Sequence, residues 1–221
     1  KNPEEKPYFL TNQSAGSFNT FKHSFEAGTG KFLNNLLSVS ARYSIINSDG
    51  YIDRAFSKLN SYNINALFEK GNTKLRFLTF GGKEKTYQAW NGIDKATYES
   101  NPKFNYSGAI YDANWENIIG FYDNETDNYR QNHYHLLWEQ KLGKIWNLET
   151  TFHLTHGEGY YENYKQDAKF SKYDLPNIVE NGNTITRTDF IRKKWLDNDF
   201  YGVVSNLYGN FENLNLNFGV A

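Results

Sequence analysis

Three groups of residues in this sequence have the types and spacing to do chemistry. His133 and His135 stand two apart, and His153 falls on the matching face of what reads as the next strand. Three imidazoles converging in this way could bind a metal or a haem iron; imidazoles are also ordinary occupants of a wet strand face. Asp123, Glu125 and Asp127 alternate like the ligands of a calcium loop. Asn128 stands where an EF-hand loop requires glycine, and a solvated acidic strand end accounts for the run. Gly28-Thr29-Gly30-Lys31 superficially resembles a phosphate loop. Phe25 and Phe32 occupy positions where that loop needs glycine and a hydroxyl, so a hairpin turn is expected instead. No nucleophile elbow and no His-Glu-x-x-His helix occur. Carboxylates such as Glu158 and Glu162 are plentiful, but no pair is set apart as acid and base. No catalytic residue and no cofactor are expected.

The elements that must position these side chains show most clearly between Asn128 and Gly157. Tyr134, Leu136 and Trp138 fall on one face, with His133, His135 and Glu139 opposite. Past Gly143, Trp146, Leu148, Phe152 and Leu154 share a face against Asn147, Glu149, Thr151 and His153. Period 2 means strand, and the glycine marks an antiparallel hairpin. Each arm runs roughly ten residues, the length a tilted strand needs to cross a bilayer. The unit repeats. Phe21, Phe25 and Ala27 alternate with polar residues, as do Leu37 to Ile45, Tyr62 to Phe68, Leu75 and Phe77, Tyr201 to Leu207, and Leu214 to Val220. Lys1 to Gly16 reads as loop. Short turns are expected near residues 29, 71, 143 and 211, and longer connections at 48–60, 81–127 and 158–197.

Short on one side and long on the other is the pattern of transmembrane β-barrels, whereas sandwiches space their turns evenly. The apolar faces would meet lipid and the polar faces a wet lumen. Trp138 and Trp146 would sit in an aromatic girdle at the short-turn end. Composition agrees. Aromatics make up 18 % of the 221 residues, yet mean hydropathy is −0.76. Tyr and Trp suit such half-wet surfaces. A net charge of −1 gives no nucleic-acid footprint. With no cysteine, disulfides and thiolate ligands are excluded. A chain without methionine that opens on Lys1-Asn2-Pro3 is expected to be a mature or excised piece. No apolar run has the length of a membrane helix, which barrel strands do not require.

Four stretches resemble the barrel domain of TonB-dependent outer-membrane receptors, in the branch common in Bacteroidetes-type bacteria. They are Ser48-Asp49-Gly50-Tyr51-Ile52-Asp53-Arg54-Ala55, the run from Phe80 to Gly92, Tyr122-Asp123-Asn124-Glu125-Thr126-Asp127-Asn128-Tyr129, and the run from Arg192 to Gly202. They come in that family's order and together cover most of the chain. The resemblance implies a barrel of about 22 strands closed by a plug, moving a scarce nutrient inward with inner-membrane energy. Residues 1–221 would be part of one such barrel domain, about eight strands, with the plug absent. The implied location is the bacterial outer membrane. The implied partners are outer-membrane lipid, the plug domain and remaining barrel strands of the same receptor, the TonB complex through that plug, and a small ligand such as an iron chelate.

In such a receptor, Tyr87, Trp90, Tyr111, Trp115, Tyr160, Tyr161 and Trp195 could stack on an iron-siderophore, a haem, a cobalamin or a sugar ring; they could equally pack loops together. Lys83 and Arg54, with Lys85 and Arg192 to Lys194, could attract an anionic chelate or lipid phosphates. The alternative reading is a soluble β-sandwich that binds glycans through Tyr and Trp.

Overall fold

The computed structural model describes residues 3–221. In chain order its elements are β1 (Pro7–Gly16), β2 (Thr20–Phe32), β3 (Leu37–Ser48), β4 (Ser57–Lys70), β5 (Thr73–Tyr87), the short helix α1 (Lys95–Ser100), β6 (Ala109–Tyr111), β7 (Ile118–Phe121), β8 (Thr126–Leu142), β9 (Trp146–Lys169), a 3-10 turn (Phe170–Tyr173), β10 (Ile178–Glu180), β11 (Asn183–Ile185), β12 (Arg187–Phe211) and β13 (Leu214–Val220). Nine strands form one antiparallel sheet in the order β1-β2-β3-β4-β5-β8-β9-β12-β13. It is an up-and-down meander. β6–β7 and β10–β11 are small hairpins inside the two longest connections. At one end the connections are short, at 33–36, 71–72, 143–145 and 212–213. At the other they reach 49–56, 88–125 and 170–186, with one tight turn at 17–19.

The register lays out two unlike faces. Val39, Ala66, Phe77, Leu136, Phe152 and Val203 pair in one row across six strands. Ile64, Thr79, Tyr134, Leu154 and Tyr201 form the row above. These side chains are bare: Phe77, Leu136 and Phe152 are 42 %, 41 % and 44 % exposed. The opposite face carries Ser40, Asn65, Leu78, His135 and His153 in one row. There even small groups are covered, with Ser38 and Leu67 each 3 % exposed. Crowding on the polar face and splaying on the apolar one is the asymmetry of a sheet curled around its polar side. So wide an apolar surface needs an apolar surround.

Three differences from the sequence reading have physical causes. The sheet has nine strands rather than eight, because Pro7–Gly16 is β1 and not a loop. Its run Thr11-Asn12-Gln13-Ser14 lacks alternation; as an edge strand it pairs β2 alone and stays largely exposed. Gly28-Thr29-Gly30-Lys31 is a bulge inside β2, not a turn. The register slips between Gly28 and Lys31, Gly30 takes a φ of 66°, and the Lys31 N–H donates to the Glu5 carbonyl at 2.9 Å. The turn itself is Leu33-Asn34-Asn35, all left-handed. Finally, β9 and β12 run 24 and 25 residues, so much of the connection expected at 158–197 is strand. Beyond the apolar rows neither face is a run of apolar side chains, and the alternation that betrays a strand is lost.

Candidate functional site

The polar face carries a row of rings assembled from four strands. Phe80 on β5 stacks on His133 of β8, with centroids 4.4 Å apart and planes 13° apart. His133 and His135 follow at 6.2 Å, His135 and His153 of β9 at 6.3 Å, and His153 and Phe200 of β12 at 5.2 Å. The three imidazoles of the sequence do meet on one face, but as a ladder. Among the described residues no three His, Cys, Asp or Glu side chains gather closely enough to hold a metal. His133 is also engaged, by Thr155 Oγ1 at 2.8 Å and Gln131 Oε1 at 3.2 Å. Tyr129 extends the row: its ring lies where Cβ atoms on Gly157 and Gly159 would stand, so both glycines let it lie flat on the wall. Beside it a groove of about 410 Å³ has Ile46, Leu59 and Phe80 for a floor and Glu84, Gln131 and His133 for polar edges. Apolar floor with a few polar groups suits a small ligand.

Toward the long-connection end, the best-buried cluster in the described structure is polar. Asn105 is 1 % exposed; its amide donates to the carbonyls of Asp53 and Gln88, and its oxygen accepts from the Ser107 N–H. Gln88 donates to the carbonyls of Thr126 and Glu162 and accepts from Asn163 at 2.8 Å. Glu125 accepts from the Asn163 amide and the Tyr164 N–H. Glu162, 3 % exposed, accepts from Tyr122 and Asn124 and pairs with Lys193 at 3.4 Å. Burial works to raise the Glu162 carboxyl, but these donors outweigh it and hold the group below its ordinary range. Burial and the bond to Glu162 push the Tyr122 hydroxyl up to about 12. The bond to Asp189 and burial do the same for Tyr164. Each such bond is worth about 1 kcal/mol, and an orphaned partner costs about 1–3. This network therefore fixes the connections 49–56 and 88–125 to the extensions of β9 and β12.

The candidate ligand residues divide by position. Tyr87 is buried, and its hydroxyl donates to the carbonyls of Ser107 and Tyr122 at 3.0 and 2.8 Å. Arg54 donates to the Asn105 carbonyl and lies 3.5 Å over the Phe121 ring. Tyr87 is buried and Arg54 half-buried, and both make these contacts inside the loop structure. Trp90 meets Tyr161 edge-on at 5.6 Å, with Lys194 5.6 Å from the Tyr161 ring. Tyr161 and Lys194 share the polar face with Tyr129. Tyr111 and Trp115 stack at 5.8 Å around the β6–β7 hairpin, tied to β9 through Gln166. Tyr160, Trp195 and Lys83 point the other way, on the face that carries the apolar rows. Phe80, Tyr129 and Phe200 were not singled out in the sequence. Nothing local marks them; only the register brings them into one row.

No protein-family model matches the chain, and no curated protein sequence matches it. Solved structures do. The ferric-catecholate import receptor Fiu from E. coli K12, in its closed form, superposes with a TM-score of 0.62 at 12 % identity, over 96 % of this chain and 30 % of that one. Its open form gives 0.64 at 12 % identity, over 96 % and 32 %. The chain thus spans about a third of the receptor chains it matches, and at this identity the likeness is one of fold. The chain is an all-β, antiparallel segment of a β-barrel wall.

Proposed function

We propose that this chain forms part of the wall and outer loops of a TonB-dependent receptor in a bacterial outer membrane, importing an iron-siderophore or a chelate of similar chemistry. The observation that carries the reading is the pair of faces. A nine-stranded meander bares its apolar rows outward, turns a ladder of imidazole and aromatic rings inward, and superposes on a ferric-catecholate importer over nearly its whole length. A soluble glycan-binding sandwich would bury the rows containing Phe152 and Leu154, which here are bare. The Bacteroidetes-type branch rests on the four sequence stretches.

In this reading no bond is made or broken. Trp90 and Tyr161, with Lys194 beside them, offer a stacking and charged surface at the outer end. Tyr129, Phe80 and the three histidines line the inner wall below. The remaining strands and a plug of the same receptor would close the pore, and the TonB complex would act through that plug. Iron belongs to the cargo.

The test is growth. A strain lacking the full-length receptor, on medium where a ferric catecholate is the iron source, should fail to grow and be rescued by the intact gene. A Trp90→Ala/Tyr161→Ala receptor should rescue growth only at roughly tenfold or more higher chelate, as loss of one or two stacked rings implies. Equal growth with and without the receptor on every iron chelate offered would overturn the assignment.

A further inference from the structure

The outward face above the apolar rows holds a feature that ligand import does not use. Lys58 on β4 stands directly opposite Lys85 on β5, and Lys83 on β5 directly opposite Arg130 on β8. All four lie on the face of Phe77 and Leu136, so they point away from the lumen. Like charges directly opposed across strands destabilise a sheet. Two such pairs side by side would be selected against on an ordinary wet surface.

Of the four, only Arg130 has an anionic partner among the described residues. Lys85 donates to Asn124, which is neutral, and Lys58 lies 5.4 Å from the Phe56 ring. Arg130 is shared with Glu158 on the next strand. Lys83 is exposed and has no ion-pair or hydrogen-bond partner among the described residues. The outward acids in the Lys83 row, Glu158 and Asp197, stand on β9 and β12, with Asp199 one row below. Charge is therefore segregated sideways along the wall, with cations on three adjacent strands.

Height decides what fits there. The last apolar row contains Ile64, Thr79 and Tyr134; the Lys83 row is two ladder steps above it and the Lys85 row three. At about 3.3 Å per residue along a tilted strand, both rows fall at roughly the level of the headgroup layer, clear of the hydrocarbon. Tyr160 and Trp195, 4.5 Å apart, flank the patch on the same face, as interfacial rings do.

We propose that Lys58, Lys83, Lys85 and Arg130 form a binding site for the phosphate groups of an anionic lipid in the surrounding leaflet. This rests on the reading of the chain as membrane wall. The phosphates supply the negative charge that the three lysines lack, and the acyl chains lie along the apolar rows beneath.

The experiment uses the full-length receptor in nanodiscs of neutral phosphatidylcholine, with and without lipid A. Retained lipid A is counted by native mass spectrometry, and the melting temperature is followed in parallel. The wild type should hold lipid A and melt higher with it. A Lys58→Gln/Lys83→Gln/Lys85→Gln variant should insert normally but bind lipid A roughly tenfold or more weakly. The Lys→Arg triple variant should bind like the wild type. Equal retention by the Gln variant would overturn the site, as would equal stabilisation of the wild type by inorganic phosphate in plain discs. If the wild type instead stays soluble and never enters a disc, the membrane-wall reading fails and takes this site with it. Import of the chelate is not part of the readout, so a wrong ligand would leave the result intact.

Discussion

On β9, Phe152 and Leu154 turn bare apolar side chains outward, whereas Glu162 and Asn163, further along the same strand, are among the most buried side chains described. One strand thus crosses two regimes. In the lower one the backbone ladder satisfies every N–H and C=O, and the side chains are left to meet whatever surrounds the wall. In the upper one the bare apolar rows have ended. Order comes from side-chain amides and carboxylates that clamp loop backbone onto strand extensions. The lower region should therefore be sensitive to polarity on one face alone. The upper should be sensitive to the loss of any single hydrogen-bonding group and nearly indifferent to hydrophobicity.

The largest effect should come from the clamp. Glu162→Leu leaves Tyr122, Asn124 and Lys193 without their acceptor. The cap around residues 88–125 should lose about 3 kcal/mol of local stability, seen as faster hydrogen exchange and proteolysis there, with the barrel's resistance to unfolding in detergent unchanged. If the whole barrel unfolds with the cap, the two regions are one cooperative unit and the contrast is broken. The pH dependence has a definite sign. The folded Glu162 carboxyl sits below its ordinary range, so its contribution is complete above about pH 4.3 and is lost as pH falls through the lower folded value. Exchange in the cap, corrected for intrinsic rates, should stay flat from neutral pH down and rise only in stronger acid. The Leu variant should show no such rise.

The second effect tests the wall. Phe152→Arg places a charge on the bare apolar row, one row from its upper limit, and should cost about 2 kcal/mol of folding into lipid vesicles. Thr151→Arg, one residue away on the polar face, should cost much less. Equal penalties would mean that the two faces do not differ in what they contact.

This alternation is also what the sequence displayed. Where one face is apolar and the other polar, as from Leu37 to Ile45 or Trp146 to Leu154, period 2 is plain. Where neither face is apolar, as from Glu158 to Lys169, strand residues look like loop. Buried amides leave no sequence signal at all: Gln88, Asn105 and Asn163 are ordinary polar letters until three separate segments close on them. His133, His135 and His153 were visible because two share a strand and the third its hairpin partner. Phe80 and Phe200 were not, since each enters the row from a strand outside that hairpin.

A smaller effect should follow at the inner wall. Adding a methyl at Gly159 sets a Cβ against the Asn128 carbonyl and the Tyr129 ring. Backbone cannot give as a flexible side chain would, so Gly159→Ala should cost about 1–3 kcal/mol and displace Tyr129. The tyrosine's fluorescence or NMR signal should shift, and with it any ligand affinity that depends on the flat ring.

The smallest effect separates the two regions at their boundary. His156 lies one ladder step above the last apolar row on the outward face, with Nδ1 2.8 Å from Asp199 and Nε2 3.8 Å from Glu158. The bond to Asp199, more than the burial that opposes it, raises the imidazole above its ordinary value. A raised folded pKa means the contribution is complete below about pH 6.5 and fades as pH climbs through the folded value. The wild-type barrel should thus melt slightly higher at pH 6 than at pH 8.5, and Asp199→Asn should remove that difference while leaving the pH 8.5 value nearly unchanged. Because the pair is exposed, raising the salt concentration should shrink the same difference. An effect indifferent to both salt and Asp199 would place His156 inside the hydrocarbon instead, and move the boundary of the wall up by one row.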